Sequence, residues 1–371
     1  MKRFAIILCF VFCSGVQALG QNSNSDWATQ GQSVALDVYW GYSQYHHQEM
    51  AYLKQTPAQA VKLSYILNSS GSKLWHSIYR YPKVGISYML MDLGHHNILG
   101  YSHTISPFIK IPVFSLGEKC SSDFFVGSGL SYLPKIYHPV SNSLNTAIST
   151  HINVNIDLGF SVSYCVNNNL KLSSGAHIAH FSNGSIKKPN YGLNYTLLSL
   201  GVQYGNFNLK PEETVQNIVK DEKHRILLVT SGSEKEATGF NGPKFGVASG
   251  SIEYSRQVWL PLFRVGTSLD FMYDDSHSLI LQNNNILYNS NWELTKLGIA
   301  INAELILDRL SLILHFGGYY HNLSGAINNQ WVYQRVGLRY KFTNGLWAHV
   351  ALKTHLNYAD YIEFGLAFKL F

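Results

Sequence analysis

Apolar and polar residues alternate along most of this chain, in segments of about ten residues. The alternation is clearest in the last third of the sequence. One side of a strand there would carry Leu297, Ile299, Ile301, Ala303 and Leu305, and the other side would carry Lys296, Gly298, Asn302 and Glu304. Side chains of an extended strand point alternately to its two faces, so each such segment predicts a β-strand with one apolar face.

The pattern predicts sixteen strands in two sets. The first set comprises residues 35–45, 58–67, 83–93, 102–112, 123–132, 149–163, 169–181 and 193–205. The second comprises residues 223–231, 244–256, 261–274, 293–306, 310–321, 330–342, 346–356 and 361–371. The connection 206–223, rich in Lys and Glu, separates the sets. It is either a short amphipathic helix or the seam between an eight-stranded half and a later addition.

Most connections between these strands alternate between short and long, and the connection 206–223 is the exception, because it is long where a short turn is due. The tight ones are residues 117–122, 167–169, 257–260, 307–309 and 343–345, and the long polar ones are 134–145, 182–192, 232–242 and 274–291. Bacterial outer-membrane barrels have short periplasmic turns and longer external loops. The long loops are therefore predicted to lie on the external side.

The N-terminus and the composition favour a membrane barrel. Lys2 and Arg3 precede an apolar run at 4–12, and small residues up to Ala18 follow, which predicts a secretory signal peptide at 1–20 and a mature chain of 21–371. Aromatic and charged residues each make up 13% of the chain. The predicted fold class is all-β, a transmembrane antiparallel β-barrel of about 14–16 strands. An eight-stranded barrel plus a second β unit, and a soluble sandwich with its apolar faces turned inward, are the alternatives.

The net charge of the chain indicates which classes of partner are expected. The formal net charge is +6, and the sequence has no basic stripe. A nucleic-acid partner is therefore not expected for an exported chain, whereas a mild positive excess suits anionic lipid phosphates.

Cys120 and Cys165 fall in predicted periplasmic turns separated by one hairpin. A disulfide between them is predicted, although two thiols in strand-rich segments can equally stay free.

Motifs for metals and cofactors are weak or missing. The pairs His46-His47 and His95-His96 fall in predicted external loops, and a metal site would need several such residues to converge. The sequence contains no Walker loop, dinucleotide fingerprint or CxxC pair. We therefore predict no metal site and no cofactor.

The best candidate for chemistry is the polar, turn-rich segment from His180 to Asn194. Residues two apart on a strand point to the same side, so Ser182 and His180 form a plausible nucleophile and base. On both flanking strands these residues and Asn194 share the apolar face, which places them on the outside of the barrel near its external rim. Ordinary polar groups at a membrane interface are the plainer interpretation.

This segment resembles the active-site segment of the lipid A 3-O-deacylase family, known as PagL. The shared pattern is His180-x-Ser182-Asn183 followed by Pro189-Asn190-x-Gly192, without a gap over fifteen residues. The resemblance covers about residues 83–205. It implies an eight-stranded outer-membrane barrel that hydrolyses an ester-linked acyl chain of lipid A, with water as the acceptor and lipopolysaccharide of the outer leaflet as the partner.

The resemblance also implies a role for each matching residue. Ser182 would be the nucleophile, His180 the base, and Asn194 would occupy the position where the family has a Glu that orients the His. The oxyanion and substrate-binding residues would be Asn183, Gly184 and Asn190, and two lysines of the loop, Lys187 and Lys188, could meet lipid A phosphates. The alternative is a non-catalytic barrel, porin-like or structural, that keeps a relic of the motif. The oligomeric state is left open.

Overall fold

The computed structural model describes residues 31–371 except 46–47, 70, 72, 118, 208–221, 238, 259–261, 324–329 and 357. The predicted signal peptide, His46 and His47, and most of the connection 206–223 lie outside the described residues.

Eight antiparallel strands form a closed first barrel. They are β1 (Gln32–Gln44), β2 (Ala58–Asn68), β3 (Lys83–Asp92), β4 (Tyr101–Leu116), β5 (Cys120–Tyr132), β6 (Ile152–Asn167), β7 (Leu170–Ser182) and β8 (Leu193–Gly205). The barrel closes where β8 pairs with β1, with Gln44 opposite Asn194 and Ser33 opposite Gly205. A 3₁₀ helix (Gln48–Leu53) and the short α1 (Leu74–Ile78) lie in its connections.

The next eight strands form a second closed barrel. They are β9 (His224–Glu236), β10 (Lys244–Gln257), β11 (Phe263–Asp274), β12 (Thr295–Leu307), β13 (Leu310–His321), β14 (Val332–Thr343), β15 (Leu346–His355) and β16 (Tyr358–Lys369). It closes where β16 pairs with β9, with Phe364 opposite Gly232. Helix α2 (Ser276–Asn283) and a 3₁₀ helix (Asn291–Leu294) lie between β11 and β12.

The all-β prediction with sixteen antiparallel strands is confirmed. Of the arrangements that the sequence left open, the structure has the eight-stranded barrel followed by a second β unit, because the edge strands of each set pair with one another. A single barrel of about 14–16 strands would instead need β8 to pair with β9 and β16 with β1. The connection 206–223 therefore links two barrels.

Apolar side chains cover the outside of both barrels. In β12, Ile299 and Ile301 are 52% and 69% exposed, and Ile178 of β7 is 60% exposed. The lumens hold buried ion pairs, such as Lys62 with Asp157 at 3.1 Å in the first barrel and Arg335 with Glu363 at 3.0 Å in the second. A soluble sandwich with inward apolar faces is therefore wrong, and the faces match those of outer-membrane barrels. No helix among the described residues is long and apolar enough to cross a membrane.

Cys120 and Cys165 are free thiols, so the predicted disulfide is wrong. Cys120 lies opposite Tyr164 in the ladder between β5 and β6. Directly opposed residues point to the same face of a sheet, whereas neighbours along a strand point to opposite faces. Cys165 follows Tyr164, so the two sulfurs lie on opposite sides of the barrel wall.

The two barrels touch at both ends. At the predicted periplasmic end Lys73 forms an ion pair with Asp308, and the Tyr79 hydroxyl donates to the Ile306 carbonyl oxygen at 3.4 Å. At the other end the loop between β7 and β8 meets the ends of β9 and β16. The candidate site lies in this external loop.

Candidate active site

The candidate site is built on a pair of opposed residues in adjacent strands. His180 of β7 lies directly opposite Asn194 of β8. Its ring nitrogen Nδ1 is 2.6 Å from Oδ1 of Asn194, and Nε2 is 2.9 Å from Oγ of Ser182. An amide oxygen only accepts, so Nδ1 carries the proton and donates it, which leaves Nε2 to accept the Ser182 hydroxyl. The three side chains thus have the connectivity of a nucleophile, a base and an orienting residue.

The strand register places this site on the outward side of the first barrel, at the end predicted to be external. Ser182 is nevertheless only 6% exposed, although Ile178 lower on the same face is open. The backbone of Gly192, at φ +76°, passes so close that a Cβ there would lie 3.0 Å from Cε1 of His180. Glycine at this position therefore lets the loop close over the imidazole.

A tight turn of residues 183–186 follows Ser182. Gly184 and Ser185 have φ of +63° and +68°, and the Ile186 N–H donates to the Asn183 carbonyl oxygen at 3.4 Å. Positive φ at both central residues is the pattern of a type I′ turn. Among the described residues, the N–H groups of Gly184 and Ser185 have no hydrogen-bond partner. The turn therefore offers two backbone donors next to Ser182.

Asn183 and Asn190 shape this turn. The Asn183 N–H donates to Oδ1 of Asn190 at 3.1 Å. The Asn183 side-chain amide donates to the Lys187 carbonyl oxygen at 2.9 Å and to Oγ of Ser149 at 3.3 Å. These bonds engage both of its side-chain donors. Ser149 lies in the loop before β6, and the sequence does not predict its part in the site because no local pattern connects residues so far apart.

The two lysines of the loop lie against the second barrel. Lys187 Nζ is 4.8 Å from the ring centre of Phe240, and Lys188 Nζ donates to the Ala237 carbonyl oxygen at 3.0 Å. Burial lowers the pKa of the Lys188 ammonium from its ordinary value, and the charge of nearby Lys235 lowers it further. Each ammonium can donate three hydrogen bonds, so these contacts leave donors for lipid phosphates. Contact with the phosphates stays a prediction.

The second barrel contributes a residue that no sequence pattern predicts. The Lys188 N–H donates to Oε2 of Glu236 at 2.5 Å, and the Glu236 N–H donates to the Ser185 carbonyl oxygen at 3.3 Å. The predicted ninth strand ends at residue 231, with a loop from 232, whereas β9 continues to Glu236. The polar residues at the end of this strand look like a loop in the sequence, which hid Glu236.

His95 and His96 lie in the loop between β3 and β4, and His95 bonds within this loop. His95 Nδ1 accepts the Ile98 N–H at 3.4 Å. Within the part of the chain that the structure describes, no group of three or more His, Cys, Asp or Glu side chains is placed to hold a metal ion.

Two family models match the chain, one for each barrel. Residues 59–203 match the model described as lipid A 3-O-deacylase (PagL). Residues 224–371 match the model described as acyloxyacyl hydrolase, C-terminal domain. No curated protein matches the chain at a significant level.

Similar solved structures are β-barrels of low sequence identity. Neisserial surface protein A is 14% identical with a TM-score of 0.32, covering 47% of this chain and 97% of its own. The outer membrane enzyme PagL is 15% identical with a TM-score of 0.30, covering 45% of this chain and 97% of its own. The predicted resemblance is confirmed by the family models: this chain is a bacterial outer-membrane β-barrel protein that carries a lipid A 3-O-deacylase (PagL) family domain in its first barrel.

Proposed function

We propose that the protein is a lipid A deacylase and that it works as a serine esterase. The observation that carries the proposal is the hydrogen-bonded series from Ser182 through His180 to Asn194, at 2.9 and 2.6 Å. The family match of the first barrel supports lipid A as the substrate. The substrate would be lipid A of lipopolysaccharide in the outer leaflet.

The reaction has two halves. In the first, His180 Nε2 takes the proton of the Ser182 hydroxyl while Oγ attacks the ester carbonyl carbon of the acyl chain. The bond from that carbon to the sugar oxygen then breaks, and His180 returns the proton to the leaving sugar hydroxyl. In the second half, water attacks the acyl carbonyl carbon while its proton passes to Nε2. The bond from that carbon to Ser182 Oγ then breaks, Nε2 returns the proton to Oγ, and a free fatty acid is released.

The negative charge on the carbonyl oxygen requires donors. Gly184, predicted from the resemblance, and its neighbour Ser185 supply backbone N–H groups that no other described residue uses. We assign oxyanion stabilisation to this pair, because these donors lie in the turn that follows Ser182 and no other described residue engages them. Each donor of such a site contributes roughly 10²- to 10³-fold in rate. The Asn183 side-chain amide is engaged by Lys187 and Ser149, so Asn183 supports the turn, and Asn190 supports it by accepting the Asn183 N–H.

The position of the site suits a lipid substrate. Apolar side chains continue from the site down the outer wall, with Ile178 and Leu198 60% and 59% exposed. The acyl chain would lie along this wall with its ester at Ser182. The ammonium groups of Lys187 and Lys188, in the loop above, are the candidates for contact with the phosphates.

Mass spectrometry of lipid A tests the proposal. The protein is expressed in a bacterium whose lipid A is fully acylated, and we expect the loss of one 3-hydroxyacyl mass. Ser182→Ala and His180→Ala should abolish that loss while the barrel stays folded, as checked by the heat-dependent mobility of barrels on gels. An unchanged spectrum with correctly folded protein would instead favour the non-catalytic barrel.

A further inference from the structure

One carboxylate of the second barrel is buried where an exposed one is expected. Glu234 and Glu236 lie two apart on β9 and so face the same outward side. The Glu234 side chain is 58% exposed and pairs with Lys244 at 2.6 Å. Glu236 is 2% exposed, because the end of β9 packs against the β7–β8 loop of the first barrel. Burying a carboxylate is costly unless it is hydrogen-bonded, so its contacts have structural weight.

The contacts of Glu236 fall on the turn that carries the candidate oxyanion donors. Its carboxylate accepts the Lys188 N–H, and its own N–H donates to the Ser185 carbonyl oxygen. The end of β9 is therefore tied to the turn itself at Ser185 and to the loop two residues beyond the turn at Lys188. Ser185 is in the left-handed region, which is unfavourable for a residue with a Cβ, so its conformation needs such support.

A second strand of the same barrel contacts the turn from another side. The Ser185 hydroxyl donates to the Ala359 carbonyl oxygen at 2.8 Å. Gly184 lies against Ile362, since a Cβ on this glycine would be 2.4 Å from Cγ1 of Ile362. Ile362 is consequently 9% exposed, whereas Phe364, two residues along the same outward face, is 57% exposed. Strands β9 and β16 thus hold the turn between them.

We propose that the second barrel is a positioning domain for the catalytic turn, and that Glu236 is its positioning residue. The Glu236 carboxylate fixes Lys188, and the backbone N–H of Glu236 fixes Ser185. Together they keep the N–H groups of Gly184 and Ser185 directed at the developing oxyanion. This inference rests on the proposed function for its catalytic consequence. Its structural part, a turn held in place by Glu236, stands independently of turnover.

The test compares three variants of the full chain in detergent. Glu236→Ala removes the acceptor, Glu236→Gln keeps an acceptor oxygen without the charge, and Glu234→Ala is the matched control on the same face. With purified lipid A as substrate, we expect Glu236→Ala to lower kcat roughly tenfold, the loss of one charge-assisted hydrogen bond, with KM nearly unchanged. Glu236→Gln should recover most of the rate, and Glu234→Ala should match the wild type.

A second readout needs no activity. Hydrogen–deuterium exchange at single-residue resolution follows the amides of Asn183 and Ile186, which bond within the loop and not to Glu236. We expect both to exchange faster in Glu236→Ala and at the wild-type rate in Glu234→Ala. If the wild type releases no fatty acid but the exchange rises as expected, the proposed function fails and the positioning role stands.

Other results would overturn the inference. Unchanged kcat and unchanged exchange in folded Glu236→Ala would show that the Glu236 carboxylate does not position the turn. A loss in Glu236→Gln as large as in Glu236→Ala would contradict the role of the acceptor oxygen. If Glu236→Ala does not fold, Ile362→Ala removes the packing of the second barrel against Gly184, with Phe364→Ala as its control. Equal rates and equal exchange in those two variants would likewise refute the second barrel as the support.

Discussion

The most informative substitution is at Asn194, because the family has a Glu at this position. Oδ1 of Asn194 is already 2.6 Å from Nδ1 of His180, so an isosteric Asn194→Asp places a carboxylate oxygen at the same point. A neutral hydrogen bond contributes about 1 kcal/mol and one to a charged group about 1.5–3 kcal/mol. The gain applies when His180 becomes an imidazolium, which occurs at the transition state.

A difference of about 1.4 kcal/mol corresponds to roughly a tenfold higher kcat for Asn194→Asp. Asn194→Glu should at least maintain the rate, although its extra methylene requires the side chain to fold back toward the ring. Asn194→Leu removes the acceptor that holds the Nδ1 proton, and we expect a loss of roughly 10²-fold or more because the imidazole is then free to adopt the wrong tautomer.

Single-turnover release of fatty acid from lipid A in detergent measures these rates without the contribution of product release. Gln44→Leu is the control, because Gln44 of β1 lies opposite Asn194. This substitution makes the same rim less polar without replacing Ser182, His180 or Asn194. A large loss in Asn194→Asp with the barrel folded, or full activity in Asn194→Leu, would show that Asn194 does not orient His180.

Three further predictions follow from other contacts. Gly184→Ala should slow hydrolysis, because the new Cβ would lie 2.4 Å from Cγ1 of Ile362 and the residue has a φ of +63°. Adding Ile362→Ala should restore part of the rate, and no recovery in the double variant would assign the loss to backbone strain alone. Cys120 and Cys165 should both react with a maleimide after unfolding without reductant, and mass analysis showing an unlabelled chain would contradict two free thiols. Lys187→Ala should reduce the rate on phosphorylated lipid A more than on dephosphorylated lipid A, and an equal effect on both would exclude a phosphate contact.

Local chemistry in the sequence predicts the strands and part of the site. The alternation of side chains depends on the pleat alone, so all sixteen strands and the shared side of His180 and Ser182 follow from spacing. The pairing of His180 with Asn194 depends on the hairpin register, which the spacing does not specify. The family resemblance links those two residues, because the family has its orienting Glu at the position of Asn194.

Long-range contacts explain what the sequence does not reveal. Whether sixteen strands close once or twice depends on which edge strands meet, and the alternation is the same in both cases. Ser149 is 34 residues away in sequence from its partner Asn183, and Glu236 is 48 residues away from its partner Lys188. Neither residue stands in a motif, so only the folded chain identifies them.

Closure into two barrels bears directly on the porin-like alternative. The interior of an eight-stranded barrel is just wide enough for side chains to fill. Both lumens here hold buried ion pairs, with Lys62 3% and Arg335 3% exposed, which argues against a water-filled channel in either. What the second barrel offers is therefore its outer surface, and Glu236, Ala359 and Ile362 all meet the first barrel at the turn after Ser182. A barrel that neither conducts nor holds the nucleophile can still determine the rate, by fixing the donors on which the transition state depends.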